Sequence, residues 1–185
     1  AQQQIVTRPA IQDVIAGGLG ANLPRSSITG LTMYTGGFEA EYGNALSGVV
    51  NVITKSGTNQ HQLAVRIDRD SWIPASLNEA QNRLSELEFS ASGPINQNDL
   101  YYFVANSVTV MDTRWWQDFR HFFESPVQTE YTGFGKIDYL ISSRLKLSFQ
   151  GIYSLRNWRD YEFSWRFNLD GLPKRVRNSY RLAAT

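Results

Sequence analysis

Two stretches carry the side chains best suited to chemistry. "GGFEAEYGNALSGVVNVITKSGTN", Gly36 to Asn59, sets Glu39, Glu41 and Tyr42 among Gly36, Gly37, Gly43 and Gly48, then runs through Asn51 to Lys55 and Gly57. "TRWWQDFRHFF", Thr113 to Phe123, gathers Trp115, Trp116 and Arg120. Neither has a phosphate-loop spacing, and the chain has no cysteine, so thiolate nucleophiles, thiolate zinc sites and disulfides are excluded. The two histidines, His61 and His121, lie far apart in polar or aromatic surroundings and read as surface or loop residues. Serines and carboxylates are plentiful, yet no Ser, His and Asp set has a recognisable context. The chemistry on offer is non-covalent recognition, with no enzyme activity and no cofactor expected.

With 185 residues the chain suffices for one domain with a sizeable core or for two small units. Its 18 Lys and Arg against 17 Asp and Glu leave a net charge of +1, which gives no bulk drive toward nucleic acid. No apolar run approaches the roughly 18 residues of a membrane helix, and "AQQQIVTRPA" lacks the pattern of a signal peptide. A negative mean hydropathy does not exclude a membrane β-barrel, because alternating strands give a weak signal.

The elements that must position these residues change character near Gly57. Before it, Pro24 and the cluster Gly17, Gly18 and Gly20 punctuate short turns and brief strands. "VVNVIT", Val49 to Thr54, supplies a β-branched strand in which Asn51 satisfies neighbouring backbone groups. After Gly57 the period becomes two. In "RLKLSFQGIYSLR", Leu145, Leu147, Phe149, Gly151, Tyr153 and Leu155 share a face opposite Arg144, Lys146, Ser148, Gln150, Ser154 and Arg156, with Ile152 the apolar exception. Leu100, Tyr102, Val104, Val108 and Val110 oppose Ala105, Ser107 and Thr109, and Tyr131, Ile137, Tyr139 and Ile141 oppose Thr132, Lys136 and Asp138. "LAVRID" and "SELEFSAS" are shorter strands, the second setting Glu86, Glu88 and Ser90 against Leu87, Phe89 and Ala91.

The connections alternate. "GPINQND" and "SSR" are tight polar turns, whereas "RDSWIPASLNEAQNR", "DTRWWQDFRHFFESPVQT" and the stretch from Asn157 to Ser179 are long. Short turns at one end and long loops at the other are the habit of outer-membrane barrels, and strands of about 10 residues match a tilted membrane crossing. Within the last long connection, "YEFSWRFN", Tyr161 to Asn168, alternates aromatic with polar residues and is expected as a loop hairpin.

"GGFEAEYGNALSGVVNVITKSGTN" resembles the C-terminal end of the plug domain of TonB-dependent outer-membrane receptors, in the large-loop, Oar-like or SusC-like subfamily, and "SASGPINQNDLYYFVANS" resembles that subfamily's second and third barrel strands. The resemblance spans roughly Ser27 to Arg156. It implies an all-β, mainly antiparallel fold: residues 1–57 as the C-terminal part of a small plug and residues 58–185 as the first strands of a transmembrane β-barrel. Lys55, Ser56 and Gly57 then form the hinge between them. Glu39 and Glu41 face basic residues of the plug or inner wall, or form a solvated acidic turn. Trp115, Trp116 and Arg120 form either a ligand- or partner-facing patch or an aromatic girdle at the outer leaflet.

The implied function is energy-coupled import across a bacterial outer membrane of a siderophore, oligosaccharide or peptide. The implied partners are outer-membrane lipid, the TonB complex through a missing N-terminal part, a surface lipoprotein and the ligand itself. The sequence supplies five good strands and a sixth expected near Tyr180, against about 22 in such barrels, so an incomplete piece of a larger receptor is expected. Two other classes remain open, a structural or adhesive plugged barrel without transport and a soluble periplasmic domain binding carbohydrate.

Overall fold

The computed structural model describes residues 22–34, 49–69, 83–96, 99–112, 126–160, 162–165, 167–168 and 171–185. Within them the chain is all-β and antiparallel. A 3-10 turn, Arg25–Ser27, leads into β1 (Ile28–Tyr34), which pairs with β2 (Val49–Thr54) in a two-stranded sheet. A second sheet of six strands runs in strict sequence order: β3 (Gln62–Arg69), β4 (Arg83–Asn96), β5 (Leu100–Asp112), β6 (Gln128–Ser142), β7 (Leu145–Trp158) and β8 (Arg175–Ala184). The sheet is open, with β3 and β8 at its edges. The strand ends joined by the short links, β4 to β5 and β6 to β7, lie on one side of the sheet, and the strand ends that flank 70–82, 113–127 and 159–174 lie on the other.

Period-two alternation, continued through an unbroken register, gives the six strands two unlike faces. One face carries Leu63, Val65 and Ile67, then Leu87 and Phe89, Val108, Tyr131, Ile137 and Tyr139, Leu145, Phe149 and Tyr153, and finally Val176, Tyr180 and Leu182, all exposed. The opposite face is polar, and much of it is buried: Glu86, Glu88, Ser92, Ser107, Thr132, Asp138 and Ser154 are at most 9% exposed. Exposed apolar and buried polar is the reverse of a water-soluble sheet. Asn106, a polar residue in the middle of the apolar face, is met across β6 by Tyr131, whose hydroxyl donates to its Oδ1 at 2.8 Å. Gly133 between them leaves the room, since a Cβ there would stand 3.2 Å from that oxygen.

The small apolar core sits on the polar face. Phe103, Ala105, Phe134 and Ile152 cluster there, with Leu23 of the N-terminal segment packed against them. The Phe103 and Phe134 rings are tilted at 54° with centroids 6.0 Å apart, a favourable aromatic geometry. Ile152, the apolar exception of its strand, is therefore the β7 member of the patch that receives Leu23.

Three expectations need correction. β4 does not end at "GPINQND": Gly93, Pro94 and Ile95 continue the strand, with a bulge between Pro94 and Asn96. Pro94 is tolerated because β3 pairs only as far as Ser92, so the proline lies where β4 is an edge. β8 begins at Arg175 rather than near Tyr180. The hairpin expected in 161–168 is instead a 3-10 turn, Phe163–Trp165, held by backbone bonds from Trp165 to Glu162 and from Asn168 to Trp165.

Candidate functional site

Pairing across the six strands arranges the polar face in rows. Asp68, Glu86, Thr109, Glu130, Arg156 and Arg177 stand side by side, one from each strand. The next row is Arg66, Glu88, Ser107, Thr132, Ser154 and Ser179, and the one after it Ala64, Ser90, Ala105, Phe134, Ile152 and Arg181. The first row is segregated by sign: carboxylates occupy β3, β4 and β6, and guanidiniums occupy β7 and β8.

The N-terminal segment lies across this face. Asn22 donates to Glu130. Arg25 stands 3.6 Å from Glu86 and 3.8 Å from Asp68. Ser26 donates twice to one oxygen of Glu88, from its backbone N–H at 2.7 Å and its hydroxyl at 2.8 Å. Two donors on one nearly buried carboxylate form a charge-assisted contact, stronger than a neutral hydrogen bond. The Ser27 hydroxyl and backbone N–H turn back to Pro24 O, closing the 3-10 turn that aims Arg25 and Ser26 at β3 and β4. At the other side Thr54 donates to Gln150 of β7 at 3.4 Å. The segment thus reaches from β3 to β7.

A half-open cleft of about 310 Å³ lies between the segment and the first two strands of the sheet, lined by Arg25, Ser26, Lys55, Ala64, Arg66, Glu88 and Ser90. At the short-turn end, Asp138 is 2% exposed, accepts from the Ser148 hydroxyl at 2.5 Å and lies 3.1 Å from the Lys146 ammonium. At the long-connection end, Trp158 donates its indole N–H to Asp160 at 2.9 Å, while the Arg156 and Arg177 guanidinium carbons lie 4.9 and 5.7 Å from its ring centroid. Arg175 pairs with Asp160 at 3.2 Å. These groups can bind and orient a partner.

Of the residues singled out in the glycine-rich and tryptophan-rich stretches as candidates for recognition, Asn51, Lys55 and Gly57 fall within the described structure. Lys55 donates its backbone N–H to Ser27 O at 2.7 Å, extending the β1–β2 pairing, and its side chain lines the cleft. Asn51 pairs with Thr32 in the β1–β2 ladder. Gly57 lies on β5 so closely that a Cβ would stand 2.7 Å from Tyr101 Cβ and from the backbone N and O of Tyr102. Gly36, Gly37, Glu39, Glu41, Tyr42, Gly43 and Gly48 lie outside the described residues, as do Trp115, Trp116 and Arg120. His61 immediately precedes β3, with its ring centroid 6.2 Å from that of Tyr102.

Sequence reasoning did not identify Arg25, Ser26, Trp158 or Arg177. It placed Glu86, Glu88 and Arg156 on the polar side of their strands, and alternation was the signal that found them. That Glu86 and Arg156 share a row, with Glu88 in the next, depends on register between strands far apart in sequence. Comparison with protein-family models, with curated proteins and with solved structures finds no match to this chain.

Proposed function

We infer that the chain is part of a TonB-dependent outer-membrane receptor, with the segment through Gly57 seated as the end of a plug against the inner wall of a β-barrel to which β3 to β8 belong. The observation that carries this reading is the reversed sheet: six strands with an apolar face exposed and a polar face covered by the chain's own N-terminal segment. Hydrocarbon satisfies such an apolar face, and a plugged lumen satisfies such a polar one. The alternation of short and long connections and the plug-like stretch ending at Asn59 support the same reading. The function is energy-coupled uptake: ligand binds on the side of the long connections, and force on the plug loosens its hold on the wall.

The test places single cysteines in a chain that holds none, with any cysteine elsewhere in the receptor first changed to serine. Ser26→Cys and Phe149→Cys are made separately in the whole receptor, in cells, and exposed to a small water-soluble maleimide with and without a protonophore. Labelling at position 26 should rise in energised cells and fall with the protonophore, while position 149 stays protected by lipid throughout. Equal labelling of both positions, unaffected by the protonophore, would sink the reading.

A further inference from the structure

The segment before β1 and the linker after β2 are held to the six-stranded sheet by separate sets of contacts. Upstream, Asn22 reaches Glu130 on β6, Arg25 reaches Asp68 on β3 and Glu86 on β4, and Ser26 holds Glu88 on β4. Downstream, the chain crosses the same face from β7 to β4. Thr54 donates to Gln150, Gly57 rests on Tyr101 and Tyr102 of β5, and the Thr58 hydroxyl meets that of Ser92 at 3.3 Å. The linker then runs into β3, whose eight residues pair with β4 without a break in register.

Between these two attachments stands the β1–β2 pair, and the chain enters and leaves it at the same end. Ile28 lies opposite Thr54, Tyr34 lies opposite Val49, and beyond Ile28 the Lys55 N–H donates to Ser27 O at 2.7 Å. Tension between Ser27 and Lys55 therefore falls on one ladder bond at a time, starting from that bond. Pulled from opposite ends, the same ladder would share the load over all its bonds at once. The loaded end is also the irregular one, since the register shifts between Ile28 and Gly30. Such a shift disrupts the ladder locally, so opening starts where the pair is weakest. Six residue pairs with a break thus stand against the eight unbroken ones that hold β3 to β4.

We propose that the segment from Asn22 through β1 is a strap that peels from the wall and unzips from β2 when its N-terminal side is drawn away, while the linker from Thr54 to Thr58 stays seated as the fixed end. Peeling uncovers the wall beneath Arg25 and Ser26, so that Asp68, Glu86, Glu88 and the cleft of about 310 Å³ beside them meet water without β3 leaving β4. That a cell pulls on this end rests on the receptor reading. That the pair opens as a zipper does not.

Single full chains in detergent micelles are stretched between two attached handles, so that rupture reports the barrier to opening. Azide-bearing residues at positions 1 and 59 carry the handles in one series and load the pair from one end; positions 1 and 49 load it from opposite ends. The pair should open at a severalfold lower force in the first series. With handles at positions 1 and 185, the first length released should include no residue beyond Thr58. Two disulfide locks are then compared, because opposite residues of an antiparallel pair are close enough to bridge. Gly30→Cys with Ile53→Cys, near the loaded end, should abolish the low-force opening, and Met33→Cys with Val50→Cys, near the far end, should leave most of it. Reductant should restore the opening in the first lock, which separates the bridge from any damage done by the cysteines. Equal forces in the two loading series overturn the zipper, as do two locks that behave alike or a lock that reductant does not relieve. A first step that also frees β3 overturns the fixed end. Flotation of the same samples with liposomes separates the two readings: failure to float with the low-force opening intact removes the receptor and leaves the strap, and flotation without that opening removes the strap alone.

Discussion

Ser26 gives both its backbone N–H and its hydroxyl to a single oxygen of Glu88, across the boundary between the N-terminal segment and the six-stranded sheet. Glu88 is 2% exposed, so little water is available to replace those donors. Hydrogen bonds to a charged group contribute about 1.5 to 3 kcal/mol each. Arg25 is the neighbouring contact but its side chain is 61% exposed, and an ion pair in that setting contributes at most about 1 kcal/mol.

Glu88→Ala is therefore expected to loosen the segment by about 2 kcal/mol, read as an increase of about thirtyfold in tryptic cleavage at Arg25 and Lys55 while the sheet stays folded. Glu88→Gln keeps an acceptor and should fall between. Arg25→Gln should reduce the hold only slightly, and that small effect should vanish in high salt. Cleavage of Glu88→Ala at the parent's rate would show that the contact does not hold the segment.

Phe149 and Gln150 are consecutive residues on opposite faces of β7, the first 54% exposed on the apolar side. An arginine near the middle of a lipid face costs about 2 to 4 kcal/mol, and one on the inner wall costs little. On the receptor reading, Phe149→Arg should cut the yield of folding into lipid vesicles strongly, and Gln150→Arg should leave it near the parent's. Matching yields would contradict the assignment of faces.

The pair Tyr131 and Asn106 reports on what covers the apolar face. Tyr131→Phe leaves the Asn106 amide oxygen without its 2.8 Å donor. In hydrocarbon no solvent replaces that donor, and a loss of about 1 to 3 kcal/mol is expected; in water the loss approaches zero. The double variant Tyr131→Phe with Asn106→Ala should recover much of the loss, because both polar groups are then gone. Additive losses in vesicles, measured as a double-mutant cycle, would mean the pair is not coupled.

What the sequence made legible was everything that depends on a residue and its own strand. Lys146, Ser148 and Gln150 against Leu145, Leu147 and Phe149 is a period-two pattern that needs no partner to be read. Ile152 broke the pattern because its partners, Phe103, Ala105, Phe134 and Leu23, come from other strands and from the N-terminal segment. β8 was expected five residues late because Arg175, Arg177 and Ser179 on its polar face mimic a solvated loop when Val176 and Asn178 are not yet known to face the other way. The sign-segregated row was hidden for the same reason. Asp68 and Arg177 share it only through five successive ladders, and a slip of one residue in any ladder would dissolve it.

Gly57 is the described residue at which the role of glycine in the stretch from Gly36 to Asn59 can be tested. A Cβ there would meet Tyr101 Cβ and the Tyr102 backbone N and O at 2.7 Å, and two of these atoms are backbone within a paired strand that cannot yield like the tip of a side chain. The linker must move instead, at about 1 to 3 kcal/mol for an overpacked contact. Gly57→Ala should raise cleavage after Lys55 and leave the strand signal in circular dichroism unchanged. Gly30 is the control: its added Cβ would sit 3.6 Å from Ile53 Cδ1, an ordinary contact, so Gly30→Ala should cleave like the parent or slightly more slowly. If both alanines behaved alike, or if Gly57→Ala lost the six-stranded sheet along with the linker, the close seating of the segment on β5 would not be what Gly57 provides.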